Sequence, residues 1–427
     1  MIEFDKEHEL KSDVILSIKV VGVGGAGGNT VNSMISSDLQ HIDFIVTNTD
    51  SQALYHSNAL KKIQLGKKST KGLGSGANPD LGRRATEEDL ERIMEAIGDA
   101  DIVFIAAGMG GGTGSGGAPV IAKALKERGI LSIAVVTKPF GFEGRRRMMV
   151  AQEAIEQLRK EVDTLIIIPN QKLLDVVDRS VTMIESFAMI DQLLIHSVKS
   201  ITDIVTQPGH INVDFADLRA IMKGMGLAMM GAGSAQGHDR ARVAAQQAIS
   251  SNLIENMDMK KARGILVNIT GGLSLSLHEI NDAASVIYDE SNENAHIILG
   301  SVIDPSMGDK VSVSVIATGF ENPLAYATKA EIPADQMLDL KIKGEEPVEH
   351  KLKAPEQVIP VYSEYLQRVD GAPQLVEQVI MPAHHEKDHT PQQNIYSFNN
   401  RYEQDSLDVP AFLRRPKVEE SYLEPME

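Results

Sequence analysis

Apolar and polar positions along residues 14–185 follow two alternating patterns. Short runs that are apolar throughout, such as 20–23, 102–107 and 165–169, alternate with segments in which apolar residues recur every three or four positions. Fully apolar runs are typical of parallel strands covered on both faces, and the longer period is typical of helices. The alternation predicts an α/β fold with a doubly wound parallel sheet over this region.

A second, smaller α/β domain is predicted beyond a long central helix. The helix, placed at 186–211, keeps one apolar stripe: Phe187, Ile190, Leu194, Val198, Ile201 and Val205. The domain, at 212–320, is predicted to contain helices around 216–230, 238–250 and 277–291, and strands at 264–271, 295–304 and 311–320. The stripe holds the helical period over five turns, as expected for a helix buried along one face.

Three further segments lack the composition of a folded core. Residues 1–13 are polar and acidic, and they predict a flexible N-terminus. Residues 321–404 are rich in Pro, Gln, Glu and Lys, and they predict a disordered linker. Apolar residues return beside two arginines in the tail at 405–427, where Leu407–Arg415 has the character of a docking peptide.

Composition excludes several classes of protein. The 427-residue chain carries a net charge of −17, which argues against a protein whose main surface binds nucleic acid. It has no cysteine, so disulfides and thiolate metal sites are impossible. No apolar run is long enough to span a bilayer. We expect a cytoplasmic protein without direct membrane insertion.

Three glycine-rich segments follow predicted strands. They are GVGGAGGN at 22–29, TKGLGSGANP at 70–79, and 108–117, where seven of ten residues are glycine. We expect helices to resume at Asn29, at Thr86 (with Asp89 completing a capping box) and near Ala118. Glycines at the carboxyl edge of a parallel sheet let backbone N–H groups and helix N-termini approach an anion. The segments therefore predict a phosphate site.

The first segment alone leaves the ligand open. Gly22, Gly24 and Gly27 fit the spacing of a dinucleotide-binding turn, with Asp50 at the distance of a ribose-binding acid. A dinucleotide-dependent oxidoreductase is therefore one interpretation. Several such loops suit a nucleoside triphosphate better, although no Gly-Lys-Ser/Thr follows the glycines as in a P-loop.

Six motifs in order resemble the tubulin/FtsZ GTPase family. GGGTGSG at 110–116 is that family's signature, and it is accompanied by 22–29, VTNTD at 46–50, 70–79, VVTKPFGFEGRRR at 135–147 and NVDFADLR at 212–219. The resemblance runs from about residue 14 to 320, and Leu407–Arg415 is similar to the family's C-terminal partner-binding peptide.

The resemblance implies a site for GTP or GDP. The residues it implicates are Gly25, Ala26, Gly27, Gly28 and Asn29 at the nucleotide, Gly112, Thr113 and Gly114 at the phosphates, Glu143 and Arg147 at the ribose and base, and Asp191 at the guanine. Taken alone, Asp191 is equally consistent with an exposed helical carboxylate. Residues 145–147 also have the pattern of a solvated run of charge, which we expect for Arg145 and Arg146, whereas Arg147 keeps the helical spacing of four from Glu143.

Asp214 and Asp217 are the catalytic residues that the resemblance implies, acting on the water that attacks the γ-phosphate. By pattern alone, one of them is more simply a helix cap. About 14 helical residues, roughly 21 Å, separate Asp191 from Val205, so these acids are expected to serve the nucleotide of a neighbouring subunit. Mg²⁺ is the expected counterion beside a triphosphate.

The function implied is that of a self-polymerising GTPase. Subunits would assemble head to tail into filaments of the bacterial division ring at midcell, and the tail would bind membrane-anchoring division proteins. A non-hydrolysing scaffold or plasmid-partitioning relative remains an alternative, against which the intact acid pair and the tail both weigh.

Overall fold

The computed structural model describes residues 16–37, 39–174, 180–207, 211, 213–251 and 259–320. They all lie within one unit of contacts, Met1–Leu340. The predicted N-terminus (1–13), linker (321–404) and tail (405–427) fall outside the described residues. The boundaries placed at 185 and 211 remain predictions.

Ten strands form one mixed sheet in the order β3-β2-β1-β4-β5-β6-β7-β10-β8-β9. The strands are β1 Ile18–Val23, β2 Ile42–Asn48, β3 Lys61–Gln64, β4 Ile102–Gly108, β5 Leu131–Lys138, β6 Thr164–Pro169, β7 Gly226–Gln236, β8 Gly264–Gly271, β9 His296–Ile303 and β10 Lys310–Thr318. The six strands from β3 to β6 are parallel, whereas β10 runs antiparallel to both β7 and β8.

Helices cover both faces of the parallel part. The helices are α1 Gly24–Ser36, α2 Ser51–Tyr55, α3 Pro79–Glu88, α4 Leu90–Ile97, α5 Thr113–Arg128, α6 Arg145–Glu161, α7 Asn170–Leu174, α8 Met183–Thr206, α9 Phe215–Met222, α10 Arg240–Ile249 and α11 Leu277–Glu290. One apolar cluster joins α1, α8 and α9 to one face, and a second joins α4, α5 and α6 to the other. This arrangement confirms the doubly wound α/β prediction.

The long helix α8 lies between the parallel sheet and the strands that follow it. Thr182 caps its N-terminus and Glu185 completes the capping box. Its buried residues contact both β5–β6 and β8–β9. Among the described residues, no helix combines the length and the apolar character needed to cross a membrane.

The predicted helix over 216–230 is wrong in its second half. Helix α9 ends at Met222, and residues from Gly226 onward form β7. The segment is rich in Leu, Met and Ala, which favour helices, but Gly224 and Gly226 have positive φ angles of 68° and 69°. Nine residue pairs with β10 then hold the segment as a strand. Sheet pairing overrides local propensity here.

Two glycine-rich segments are largely helical, which the sequence did not predict. Helix α1 begins at Gly24 rather than Asn29, and α5 begins at Thr113 rather than near Ala118. The predicted capping box at Thr86 is also wrong, because Thr86 lies inside α3 and its hydroxyl donates to the Gly82 carbonyl at 2.9 Å.

Candidate functional site

A cavity of about 490 Å³ opens at the edge where β1, β4 and β5 end. Its volume falls within the range of small-molecule sites. Its lining comes from the two glycine-rich helix starts, the ends of β1, β4 and β5, the loop before α3, the start of α6 with the turn before it, the start of α7, and α8. The residues are Val23, Gly25, Ala26, Asn29, Thr30, Ser75, Ala107, Gly108, Met109, Gly111, Gly112, Thr113, Gly114, Thr137, Pro139, Glu143, Arg147, Asn170, Phe187, Ile190, Asp191 and Leu194.

Two helix N-termini supply the first residues of this cavity. Gly25 and Ala26 belong to the first turn of α1, and Thr113 and Gly114 to the first turn of α5. Neither helix has a side-chain cap. The first N–H groups of a helix lack intrahelical partners, and the helix dipole adds positive potential there. Two such ends in one cavity form a site suited to phosphate groups.

A network of hydroxyl groups holds the loop at residues 109–112, which leads into α5. Thr113 Oγ1 is 2.7 Å from Thr49 Oγ1 and 3.0 Å from Ser75 Oγ, and all three side chains are buried. Ser115 Oγ accepts the Gly110 N–H at 2.9 Å, and Gly110 has a φ of 97°. The loop from 109 to 112 is therefore held in shape by the protein's own groups.

The glycines divide into two sets with different reasons for being glycine. A Cβ at Gly25 would meet nothing within 4 Å, so this position leaves open space in the cavity. A Cβ at Gly27 would strike the carbonyl of Ala106, and one at Gly116 would strike the backbone of α3 at Pro79. Gly27 and Gly116 allow close packing between elements and do not line the cavity, whereas Gly112 and Gly114 line it and also lack room for a Cβ.

Glu143 and Arg147 meet at one wall of the cavity. Arg147 Nη1 donates to Glu143 Oε2 at 2.5 Å, and Glu143 Oε1 accepts the Phe140 N–H at 2.9 Å. The pair joins two elements, because Glu143 ends a 3₁₀ turn, Arg147 lies in the first turn of α6, and Gly144 stands between them. Arg145 and Arg146 are exposed and do not line the cavity, as expected for solvated charge.

Asp191 places a carboxylate on the α8 side of the cavity. Its two oxygens accept hydrogen bonds from Thr30 (3.1 Å) and Ser33 (2.9 Å), both on α1. Burial raises the pKa of Asp191 above its usual value, and these two hydroxyls oppose the rise. A carboxylate has about four acceptor positions, so Asp191 keeps capacity for further donors.

Asn170 is a cavity residue that sequence reasoning missed. It follows β6, is buried, and its Oδ1 has no hydrogen-bond partner. Buried polar atoms are normally satisfied, so an orphaned acceptor on a cavity wall indicates a missing donor. Its position directly after an apolar strand, at the ligand-binding edge of the sheet, was the available signal.

Family models match both halves of the described structure. A model of the Tubulin/FtsZ family GTPase domain matches residues 17–178, and one of the FtsZ family C-terminal domain matches residues 226–321. A Cell division protein FtsZ from Wolbachia sp is 52% identical, over 71% of this chain and 79% of the relative. The chain belongs to the tubulin/FtsZ family.

Two other family members match the same share of this chain. A Cell division protein FtsZ from Pseudomonas putida is 52% identical over 71% of this chain and 76% of its own length. A solved FtsZ dimer from M. jannaschii is 41% identical, with a TM-score of 0.68, over 71% of this chain and 88% of that one.

Most residues that the tubulin/FtsZ resemblance implicated lie together. Those that line the cavity are Gly25, Ala26, Asn29, Gly112, Thr113, Gly114, Glu143, Arg147 and Asp191. Gly27 and Gly28 are buried and do not line it. Asp50, which the dinucleotide interpretation needs near a ribose, does not line it either. Its carboxylate instead caps α2 and accepts the Gln52 N–H at 2.8 Å.

Asp214 and Asp217 lie at the other edge of this FtsZ-family sheet. Asp214 caps α9 and accepts the Asp217 N–H at 2.8 Å. The next residue, Phe215, lines a second cavity with residues 98–101 and 128–130, directly before β4 and β5 begin. The seven residues of β4, about 20 Å of strand, separate that edge from the first cavity.

No metal cluster accompanies either edge in the part of the chain that is described. Among those residues, three or more His, Asp or Glu side chains nowhere come together in a group able to hold one ion. Two acids line the first cavity, and they belong to different elements: Glu143 to the 3₁₀ turn before α6, and Asp191 to α8.

Proposed function

We propose that this protein is an assembly-dependent GTPase that forms filaments for bacterial cell division. The observation that carries the proposal is the pairing, in one cavity, of two uncapped helix N-termini with the carboxylate of Asp191 and the orphaned amide oxygen of Asn170. The helix N-termini suit a polyphosphate, and the two side-chain acceptors suit a base with several N–H donors. The curated relatives are named for cell division.

Guanine recognition is assigned to Asp191. An ionised carboxylate accepts from both the N1–H and the 2-amino group of guanine, whereas adenine presents no such pair of donors. Asn170 Oδ1 accepts a further donor from the bound nucleoside. Glu143 and Arg147, already paired, would bind the ribose and the base.

The phosphates are assigned to the starts of α1 and α5. Their N–H groups would bind the phosphate oxygens, with Gly25 in α1 and Gly111 just before α5 leaving room for close approach. Mg²⁺ would be held chiefly by phosphate oxygens and water, as is usual for this ion, and would neutralise the phosphate charge.

Hydrolysis is assigned to the junction between two subunits. Asp214 and Asp217 lie at the sheet edge opposite the chain's own cavity. This location supports the proposal that they act on a nucleotide held by another copy. There they would orient and activate the attacking water. A contact between opposite edges is heterologous and generates an open filament. The M. jannaschii relative was solved as a dimer.

The predicted tail, Leu407–Arg415, would connect such filaments to membrane-anchoring division proteins at midcell. It carries Phe412 and Leu413 beside Arg414 and Arg415, a combination suited to a groove with an acidic rim. This assignment rests on the resemblance of the tail to the family's partner-binding peptide.

The first experiment measures phosphate release against protein concentration, with GTP and Mg²⁺, while light scattering is recorded in parallel. Specific activity near zero below a threshold, rising as scattering appears, is the expected result. Activity per chain that does not depend on concentration would overturn the shared site. An Asp214→Ala variant should still bind GTP and scatter light but release phosphate at least 100-fold more slowly, since positioned acid–base groups contribute about that much.

A further inference from the structure

The Ser33 hydroxyl makes a different hydrogen bond from other hydroxyls in the same pair of helices. A helical Ser or Thr hydroxyl commonly donates to the carbonyl four residues earlier. Ser36 of α1 and Ser197 and Ser200 of α8 all do so. Ser33 Oγ instead donates across to α8, where it reaches Asp191 Oδ2 at 2.9 Å. Ser33 does not line the nucleotide cavity, so this hydrogen bond is its link to the site.

Thr30 holds the other oxygen of the same carboxylate. Thr30 Oγ1 lies 3.1 Å from Asp191 Oδ1 and 3.1 Å from the carbonyl oxygen of Ala26. A hydroxyl has one proton to donate, so Thr30 divides it between these two acceptors. Among the described residues, the acceptor for Ser33 Oγ is Asp191 alone. Of the two hydroxyls, Ser33 is therefore the one committed to the carboxylate.

These two donors fix the orientation of the Asp191 carboxylate. The last torsion of an aspartate side chain is broad, so an unsupported carboxylate turns easily. Under the proposed function, the N1–H and the 2-amino group of guanine are met at once, which requires the carboxylate to lie in the plane of the base. A donor from α1 on each oxygen sets that plane before the nucleotide binds. Such preorganisation removes an ordering cost from binding.

The same hydroxyls favour the ionised form of Asp191. Burial raises the pKa of Asp191, and the hydrogen bonds from Ser33 and Thr30 lower it. Helix α1 carries no charged residue. The charged or titratable groups on the other elements around Asp191 are Glu185, His196, Lys199 and Asp203 on α8, Lys172 on α7, Lys138 at the end of β5, and the paired Glu143 and Arg147. None of these groups is a cause of the raised pKa.

We propose that Ser33, assisted by Thr30, is a positioning residue for guanine: its hydroxyl holds the Asp191 carboxylate in the plane of the base, ready to accept both donors. The inference rests on the proposed role of Asp191 in guanine binding. Ser33 acts through the carboxylate and lies outside the cavity lining, so its substitution leaves the nucleotide-contacting groups in place.

Calorimetric titration of the full chain with GDP and with inosine diphosphate, which lacks the 2-amino group, tests this. Ser33→Ala should bind GDP about fivefold more weakly, as expected for the loss of one hydrogen bond. Inosine diphosphate should lose less, because a carboxylate that turns can still follow a single donor. Ser33→Thr, which keeps a hydroxyl, should behave as wild type. So should Ser36→Ala, the matched control, which removes an exposed hydroxyl from the same helix.

The pH profile distinguishes positioning from a merely structural effect. Without the Ser33 donor, the pKa of Asp191 rises further, because a hydrogen bond to the ionised form is lost. The GDP affinity of Ser33→Ala relative to wild type should therefore fall further as the pH is lowered. A ratio that stays constant, or an equal loss in Ser36→Ala, would overturn the inference and leave the guanine role of Asp191 standing. Equal affinity of wild type for the two nucleotides would overturn both.

Discussion

At the scale of single residues, Asp191 shows how much tertiary structure adds to a sequence motif. By sequence it is one acid in a long amphipathic helix. In the fold it is half-buried, accepts from Thr30 and Ser33 of α1, and lines the cavity with its remaining acceptor positions. Each of these partners lies more than 150 residues away along the chain.

Asp191→Asn should weaken GTP binding. The variant replaces a charged acceptor by an amide that cannot accept from both guanine donors, a loss of about 2 kcal/mol or roughly thirtyfold in affinity. It should also lose the preference for GTP over inosine triphosphate, which lacks the 2-amino group. Calorimetric titration of both nucleotides measures this, with Asp80→Asn, an exposed helical acid outside the cavity, as the control. An unchanged preference would contradict the assignment.

The raised pKa of Asp191 predicts acid-sensitive GTP binding. Guanine needs the ionised carboxylate, whereas burial favours the protonated form. As the pH falls through the raised pKa, affinity should therefore fall, by up to about tenfold per pH unit below it, and should begin to do so above pH 3.8. Phosphate protonation affects wild type and Asp191→Asn alike, so the ratio of their affinities isolates the carboxylate. A ratio constant across the acid range would exclude Asp191 as the acceptor.

At the scale of secondary-structure elements, the glycine-rich segments have two roles. The sequence predicted loops that admit phosphates, and the open space around Gly25 and Gly111 on the cavity wall supports that prediction. Gly27, Gly82 and Gly116 instead sit where another backbone passes too close for a Cβ. Composition could not separate the two, because the reason for each glycine is a neighbour distant in sequence.

Two alanine substitutions separate these roles. Gly116→Ala would force α5 away from α3 and should lower the free energy of unfolding by about 2 kcal/mol or more, as overpacking does. Gly25→Ala has open space and an ordinary φ, so without nucleotide it should keep or raise stability by about 0.5 kcal/mol. With GTP it should weaken binding by intruding on the cavity. Urea unfolding with and without GTP measures the stability of each variant and its stabilisation by GTP. If both variants lost the same free energy of unfolding without nucleotide, the assignment of Gly116 to packing and Gly25 to the cavity would be contradicted.

At the scale of the whole molecule, the parallel sheet separates two kinds of chemistry. Its carboxyl edge holds the nucleotide cavity, and its amino edge lies beside the start of α9, with Asp214 and Asp217. The proposed function needs both edges for a complete site, and one chain holds them at opposite ends of its strands. Under the proposed function, activity therefore belongs to a pair of molecules.

Mixing two impaired variants should restore hydrolysis at a GTP concentration too low to fill the Asp191→Asn site, which binds about thirtyfold more weakly. An Asp191→Asn chain keeps the acids of α9 but binds GTP poorly, whereas an Asp214→Ala chain binds GTP without supplying that acid. At equal concentrations, random head-to-tail assembly places the intact halves together at about a quarter of the junctions, as a heterologous interface requires. Phosphate release by the mixture, compared with each variant alone, measures this. Activity that never exceeds the sum of the two would contradict hydrolysis in trans.

Sequence alone predicted most strands and helices, because fully apolar runs and the period of 3.6 residues are local signals of burial. It failed at β7, where pairing with β10 outweighed the helical propensity of Met and Ala, and at the short β3 and α2, which carry too few residues for a period.

What the sequence by itself determined is the layered α/β fold and the residue types at the nucleotide site, since both are written in local pattern and motif. The length of the helix after Asp191 already indicated that Asp214 and Asp217 lie far from the cavity. Tertiary structure alone decided which glycines face the cavity and that Asn170 holds an unpaired acceptor there. These properties depend on distances between residues far apart in the chain, and such distances exist only once the sheet has brought its strands together.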